Sequence, residues 1–314
     1  MPTPVARGTF NMIDLTIIIV TYNSAGLMRD CLESLRRHWP QRYGAQLVVV
    51  DNASQDDTAA IILAEFPEVR LLQSPENLGF GRGNNLGMQA APARYYYLHN
   101  PDARLQGDSL DEALDILEVQ PEIGVAGLPL VFPDLRPQTA AYAFTGPLKW
   151  VLQGLAVPRL ARAVAVSQRL GWLRAGLRRL PMARSFLQTH AGGDFPMPQS
   201  REVDWVCGAA LILREAVRAD LGGGFDPAMF LYGEDEDLCI EARKNGWGVA
   251  QLGVTPVIHE FGWGSAGKAS PDVARLKAES LKVFINKHFH RGSPRWAAMR
   301  ALLWLKKRRW GVKD

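Results

Sequence analysis

The sequence predicts an α/β fold with a mostly parallel central sheet, and three observations carry that expectation. Residues 15–20, LTIIIV, and 47–50, LVVV, are continuous apolar runs rich in β-branched side chains, the pattern of strands buried on both faces. A helical segment from about Ala25 to Trp39 separates them, giving a β-α-β unit. Each run ends in polar residues, Thr21-Tyr22-Asn23-Ser24 and Asp51-Asn52-Ala53-Ser54. Ligands of open α/β sheets bind at the carboxyl ends of strands, so these two edges predict a pocket. Asp51 can accept a pyrimidine N–H or ribose hydroxyls there and Tyr22 can cover a base; turn and helix-capping roles for Asn23, Ser24, Asp51 and Ser54 are the alternative.

The chain continues in the same alternation. Residues 55–66, QDDTAAIILAEF, read as a helix and 69–72, VRLL, as a short strand. NLGFGRGNNLG, from Asn77, lacks the GxGxxG spacing of a dinucleotide fingerprint. Its glycines permit close backbone approach and Arg82 can meet a phosphate, while a plain loop entering a helix at Asn84 explains it equally well. Residues 95–98, YYYL, form a third buried strand that runs into His99-Asn100-Pro101-Asp102, a place where a carboxylate can hold a diphosphate-bound Mg²⁺. Ser109 and Glu112 resemble a capping box for the next helix, and residues 123–131 return as a strand. Further on, Glu234, Asp235, Glu236 and Asp237 crowd four carboxylates before the helical LCIEARKN, which Gly246 stops. Such a cluster calls for a cation, a proton or a helix N-terminus to offset its repulsion.

At 314 residues, 47% apolar and 22% charged, the chain can bury a large core, which excludes a disordered protein. Three cysteines far apart with no CxxC pair suggest neither a disulfide framework nor a thiolate zinc site. The N-terminus lacks an apolar signal core and no run of about 18 uncharged apolar residues occurs, so neither secretion by that route nor a membrane span is expected. The net charge of +4 conceals a division: residues 135–193 carry nine Lys or Arg and no acid, and residues 287–314 carry nine against one acid. In the first segment Arg159, Arg162, Arg169, Arg174, Arg178 and Arg179 interleave with leucines and Trp172, and the C-terminus reads WAAMRALLWLKKRRW. These basic amphipathic patterns predict an anionic membrane surface as partner, with a homo-oligomer contact as the alternative; no nucleic-acid motif accompanies the charge.

Taken in order, TIIIVTYNS, VVVDNASQDDT, NLGFGRGNNLG, HNPDA, VDWVCGAALILRE and GGFDPAMFLYGEDEDL resemble the inverting family 2 glycosyltransferases, and among them the rhamnosyltransferase branch, over about residues 14–262. The resemblance implies a GT-A fold, a Rossmann-like nucleotide-binding plan, to which a basic helical insertion (135–200) and a basic C-terminal helical segment (263–314) are added. It implies a nucleoside diphosphate-sugar donor, a divalent metal, Mg²⁺ or Mn²⁺, and inversion at the anomeric carbon. Carried over by position, donor binding falls on Thr21, Tyr22, Asn23, Asp51 and Arg82, with Asn100, Asp102, Cys207 and Gly208 near the diphosphate and sugar. The metal falls on Asp102 and His259; Asn100 stands where a full DxD has its first Asp. Glu234-Asp235 matches the ED pair whose Asp is the general base, and Trp205 and Asp237 fall on the acceptor side. The branch implies dTDP-L-rhamnose as donor, and the two basic amphipathic segments suggest the cytoplasmic leaflet of the plasma membrane, where a polyprenyl diphosphate-linked sugar or cell-surface glycan would be the acceptor; a UDP-sugar transferase or an inactive membrane-associated nucleotide-sugar-binding module is the alternative. A sugar nucleotidyltransferase would carry a Gly- and Arg-rich loop where this chain has TYNSAG, and a processive synthase would need membrane-spanning helices.

Overall fold

The structure is a computed structural model that describes residues 13–154, 199–260 and 271–312. The amphipathic reading of Arg159 to Arg179 lies outside the described residues. In chain order the elements are β1 (Ile13–Thr21), α1 (Ala25–Arg37), β2 (Ala45–Asp51), α2 (Thr58–Glu65), β3 (Arg70–Gln73), α3 (Gly79–Ala90), β4 (Ala93–His99), β5 (Ala103–Arg104), α4 (Ser109–Val119), β6 (Ile123–Gly127), β7 (Leu130–Val131), β8 (Pro137–Gln138), β9 (Ala141–Tyr142) and α5 (Pro147–Gly154). After them come β10 (Arg201–Glu202), β11 (Trp205–Val206), β12 (Ala210–Arg214), α6 (Glu215–Asp220), α7 (Glu234–Lys244), β13 (Gly248–Gln251), β14 (Val257–His259), α8 (Pro271–His288) and α9 (Pro294–Trp310).

An eight-stranded sheet in the order β10-β13-β6-β12-β4-β1-β2-β3 forms the centre. It is mixed: β1, β2, β3 and β4 pair in parallel, as does β13 with β6, while β12 runs antiparallel between β4 and β6. β10 closes the edge, antiparallel to β13. The sheet is therefore less parallel than the sequence suggests, because the strand contributed by ALILR returns against YYYL. Its alternation sorts side chains into two layers. Leu15, Ile17 and Ile19 pack with Met28, Leu32 and Leu35 of α1 and Leu110 and Leu114 of α4; Ile18 packs on the other face with Met88 of α3, joined by Leu238 and Cys239 of α7.

The strand order reverses about β1. From β1 the chain steps outward to β2 and β3, then α3 carries it back across the sheet to β4 on the far side of β1. That is the topological switch point, and it leaves a crevice at the carboxyl ends of β1 and β4. A smaller sheet, β5-β14-β7-β8, lies just past β4 and brings His259 opposite Ala103.

The glycines of α3 serve packing rather than a ligand. A Cβ at Gly83 or Gly87 would stand 2.7 Å from Val20 or Ile18 of β1, and one at Gly79 would stand 2.2 Å from the Phe230 carbonyl oxygen. This close approach fastens residues 225–233, the segment leading into α7. Phe80 N–H donates to the Phe230 carbonyl, and the Asn85 side-chain amide both donates to and accepts from the Phe225 backbone. The capping box expected at Ser109 is absent: Asp108 stands at the N-cap, and Glu112 instead accepts from Thr255 N–H and Oγ1.

The two C-terminal helices close over this side. Ile285 of α8 and Met299 and Leu303 of α9 enclose Trp150 of α5 in a separate small core. Ser280 Oγ accepts from both Phe230 N–H and Leu231 N–H at 3.1 Å, so α8 grips the same 225–233 segment that α3 does.

Gly79→Ala tests this clamp. Its φ of +77° and the clash with the Phe230 carbonyl together predict a loss of about 2–4 kcal/mol in denaturant unfolding. A change within about 0.5 kcal/mol, the range of ordinary surface substitutions, would show that α3 does not need this close approach.

Candidate active site

At the carboxyl ends of β1 and β2, Thr21 and Asp51 are register partners and both are buried. Thr21 Oγ1 has no hydrogen-bond partner among the described residues, while Asp51 Oδ1 accepts from Ser54 N–H at 3.1 Å. The two turns are laced together. Asn23, with φ of 50°, donates its N–H to Ser54 Oγ and accepts from Gln55 N–H through Oδ1 at 2.7 Å. Asn23 thus takes the turn role that the sequence left open, and in doing so it fixes Tyr22, whose ring is 47% exposed at the crevice mouth. Arg82 is exposed and bridges to Glu76 at 3.1 Å rather than to any other residue of the expected donor set.

The turn after β4 carries the expected metal position. His99 is buried and held by Tyr97 OH at 2.9 Å and the Ala103 carbonyl at 3.0 Å; burial pushes it down to about 4, so it stays neutral and braces the turn. Glu260 N–H donates to the Asp102 carbonyl, extending the β5–β14 pairing and setting His259 beside the turn. His259 Nε2 lies 3.3 Å from Asp102 Oδ1 and 3.5 Å from Asn100 Nδ2. Its other nitrogen, Nδ1, is 2.6 Å from Gln138 Oε1. An amide oxygen can only accept, so that bond puts a ring proton on Nδ1 and leaves Nε2 facing Asp102. One carboxylate and one imidazole are donors that suit Mg²⁺ or Mn²⁺. Gln138 carries no motif of its own, and only the fold reveals it.

Residues 207–209 join this turn to the acidic cluster. Asn100 N–H donates to the Ala209 carbonyl, and Gly208 N–H donates to Asp235 Oδ2 at 3.3 Å. A Cβ at Gly208 would meet Phe80 at 2.9 Å, so the backbone must pass bare at this point. Asp102 and Asp235, 133 positions apart in the chain, are therefore held on either side of one short strand entry. Cys207 is no nucleophile, since burial pushes its thiol up to about 12. Trp205 stacks on Tyr142 with ring centroids 4.5 Å apart and donates Nε1–H to the Ala143 carbonyl, forming a wall beside this strand.

α7 begins after Tyr232 (φ 70°) and Gly233 (φ 103°), two successive residues in left-handed conformations. A non-glycine residue held there is strained, and such strain clusters at functional sites. The four acids occupy the first turn and Arg243 and Lys244 the last, an arrangement that complements the helix dipole. They do not simply face water. Glu234, Glu236 and Asp237 are buried, and only Asp235 is partly open. Burial raises both Glu234 and Asp235 above the ordinary carboxylate range, and the charge of Asp235 adds to the shift on Glu234. Burial pushes Glu236 up to about 7, against the pull of Lys149 and of hydrogen bonds from Thr145 N–H and Oγ1.

Asp237 departs from its expected role. It is buried against α8, 2.9 Å from Lys287 Nζ and 2.6 Å from His288 Nε2, and so anchors that helix rather than meeting an acceptor. Asp237, Glu241 and His288 also have ligand-type atoms within 4.8 Å of one another, but the Lys287 ammonium already supplies the positive charge there. A separate cleft of about 510 Å³ lies at the amino ends of β2 and β3, lined by Leu32, Trp39 and Phe66, away from all of these groups.

The family described as Glycosyl transferase family 2 matches residues 16–158. An N-acetylglucosaminyl-diphospho-decaprenol L-rhamnosyltransferase of Mycobacterium tuberculosis is 26% identical over 256 residues, covering 78% of this chain and 75% of that protein. Among solved structures, GalNAc-T7 with UDP, GalNAc and Mn²⁺ aligns with 97% of this chain and 55% of its own at a TM-score of 0.59 and 13% identity. The mannosyltransferase PcManGT from Pyrobaculum calidifontis, in complex with GDP-Man and Mn²⁺, aligns with 97% of this chain and 72% of its own at a TM-score of 0.52 and 16% identity. At such identities these two are likenesses of fold.

The pH dependence of stability tests the burial of Glu236. Its raised pKa means that the folded state favours the protonated form, so its contribution is full below about 4.5 and is lost as pH rises toward about 7. The stability of the wild type relative to Glu236→Gln should fall across that window by up to about 3 kcal/mol in urea unfolding. A difference that stays flat with pH would mean that Glu236 is solvated. The sequence motifs, the sheet order and the comparisons agree: residues 16–158 match a Glycosyl transferase family 2 domain, the fold is that of the GT-A transferases, and the chain is a glycosyltransferase.

Proposed function

We propose that the chain moves one sugar, L-rhamnose from dTDP-L-rhamnose, with inversion onto a hydroxyl of a lipid-linked glycan, using Asp235 as general base and Mg²⁺ or Mn²⁺ at Asp102 and His259. The observation that carries this reading is the Asn100–Ala209 and Gly208–Asp235 linkage, which sets a carboxylate of raised pKa across one strand entry from a carboxylate–imidazole pair. The Mn²⁺ in the two structures of like fold supports a divalent metal, and the activity of the mycobacterial relative supports the rhamnosyl donor and the diphospholipid acceptor.

Displacement at an anomeric carbon needs a nucleophile on one face and a departing diphosphate on the other. Thr21, Asp51 and Tyr22 line the edge for the nucleoside, placing the diphosphate toward the turn after β4. A bound divalent ion would neutralise the charge that develops on the leaving diphosphate. Asp235 takes the acceptor hydroxyl proton as that oxygen bonds to the anomeric carbon and the bond to diphosphate breaks, which inverts the centre. Its raised pKa makes it a stronger base than a solvated Asp. Gly208 N–H donates to the same carboxylate and fixes its direction.

The acceptor side favours a bilayer. Among the described residues no helix is long and apolar enough to cross a membrane. Leu148 and Val151 of α5 and Trp304 and Leu305 of α9 are exposed on helices that pack together, and Arg308 and Arg309 are exposed beside the latter pair. Apolar side chains rimmed by arginines suit an anionic leaflet, such as the cytoplasmic face of a plasma membrane. A second copy of the chain is the other occupant that such a face could take.

Calorimetric titration with dTDP, UDP and GDP, with and without Mn²⁺, tests the donor side. The proposal expects dTDP to bind best, the metal to strengthen it by at least about tenfold, and Asp102→Ala to remove that gain. UDP preference would transfer the reading to a UDP-sugar, and an unchanged metal effect in Asp102→Ala would remove Asp102 from the site. Binding of no nucleotide at all would favour the non-transferring alternatives.

A further inference from the structure

Transfer as derived above leaves one group of side chains unused. Lys149 of α5, Lys277 of α8, and Lys306 and Arg309 of α9 converge from three helices that share the small core around Trp150. The lysines are partly buried and rest on aromatic faces. Lys306 Nζ is 4.7 Å from the Trp150 ring centroid, Lys277 Nζ is 3.8 Å from Tyr232 and 5.5 Å from Trp310, and Lys149 Nζ is 5.5 Å from Trp205. Among the described residues none of the four forms an ion pair, although Lys282 and Lys287 on the same α8 both do.

Two of these cations sit close enough to feel the acidic cluster, since the charges of Glu234 and Asp235 act on Lys277 and those of Glu236 and Asp235 on Lys149. Neutralising carboxylates would explain that pair alone. It does not explain Lys306, whose charged neighbours are Lys277, Arg309 and Lys149, all of its own sign. Lys149 and Lys277 face the acidic cluster, and Lys149 also donates to the Ala143 carbonyl, but Lys306 and the exposed Arg309 extend this positive surface beyond the carboxylates, an arrangement that favours a bound anion. The aromatic rings ease the burial of each lysine but supply no counter-charge to Lys306.

We propose that Lys149, Lys277, Lys306 and Arg309 form a seat for the diphosphate of a lipid-linked acceptor, beside the base and separate from the donor diphosphate site. The inference rests on the acceptor class proposed above and gives it a position. A sugar attached to a diphosphate held here places its hydroxyls toward Asp235, and its hydrocarbon leaves along Leu148, Val151, Trp304 and Leu305 of the same two helices. The lysines then act on acceptor affinity and not on the donor.

The test compares two probes on the full chain, N-acetylglucosamine diphosphate bearing a short alkyl chain and the same alkyl N-acetylglucosaminide without phosphate. Binding is measured calorimetrically with dTDP and Mn²⁺ present to fill the donor side. The wild type should prefer the diphosphate probe by at least about tenfold, and the K277Q/K306Q double variant should lose that preference while keeping its affinity for dTDP. K306Q alone, which disturbs no carboxylate, should reduce the preference in smaller measure and stands in if the double variant unfolds. Equal preference in wild type and variants would overturn the proposal. So would a variant that keeps the preference but no longer sediments with phosphatidylglycerol vesicles, because the cluster would then serve lipid headgroups. Failure of dTDP to bind the wild type strikes the donor reading instead, and the probe comparison still decides the seat.

Discussion

Three buried carboxylates and one partly open carboxylate in a single helical turn are the constraint around which the rest of this protein is arranged. Charge of one sign at that density, out of water, is unstable unless each group has its own compensation. Asp237 has Lys287 and His288 of α8; Glu236 has Thr145 and, at longer range, Lys149 of α5; Asp235 has the Gly208 N–H; and Glu234 has the positive end of α7 with Lys277 nearby. These compensations come from α5, α8, the strand entry at 207–209 and the start of α7 itself, so elements distant in sequence meet at one helical turn.

The same arrangement explains the glycines of α3 and the strain at Tyr232. The segment 225–233 must deliver α7 at a fixed angle, and it is gripped from one side by α3 through Phe80 and Asn85 and from the other by Ser280 of α8. A grip from both sides can hold a left-handed tyrosine that an isolated loop would release. In the proposed transfer this rigidity would hold Asp235 at the hydrogen-bond distance that proton transfer from an acceptor hydroxyl demands.

Much of this was legible in the sequence, and the parts that were not have physical reasons. The β-branched runs, their polar ends and the acidic helix start lie in local sequence, and β1, β2, β4 and α7 form where local pattern places them. The direction of β12 is a tertiary property: ALILR reads as a buried strand whichever way it runs, so the sheet is more mixed than expected. Asp102 and His259 do come together, through the β5–β14 pairing, and Gln138, a residue with no local signal, orients the imidazole. Asp237 is expected on the acceptor side, but one helical turn points its side chains in different directions, and the packed position of α8 decides that Asp237 meets Lys287 and His288. Arg82 reads as a phosphate ligand by type, yet on α3 its exposed guanidinium meets Glu76. The lysine cluster was invisible because its members are distant in sequence and each looks like an ordinary surface charge.

The central claim is that Asp235 removes the acceptor proton while a separate edge of the crevice binds the donor. Its most direct test is to measure, in Asp235→Asn, both the turnover of sugar transfer with the donor that the wild type accepts and the dissociation constant of the matching nucleoside diphosphate. The account expects turnover to fall by about 10²–10⁴-fold while nucleotide affinity stays within about twofold, because an isosteric amide keeps the site's shape and cannot take a proton. Turnover close to wild type, or a loss confined to nucleotide affinity, would contradict it and assign the base elsewhere.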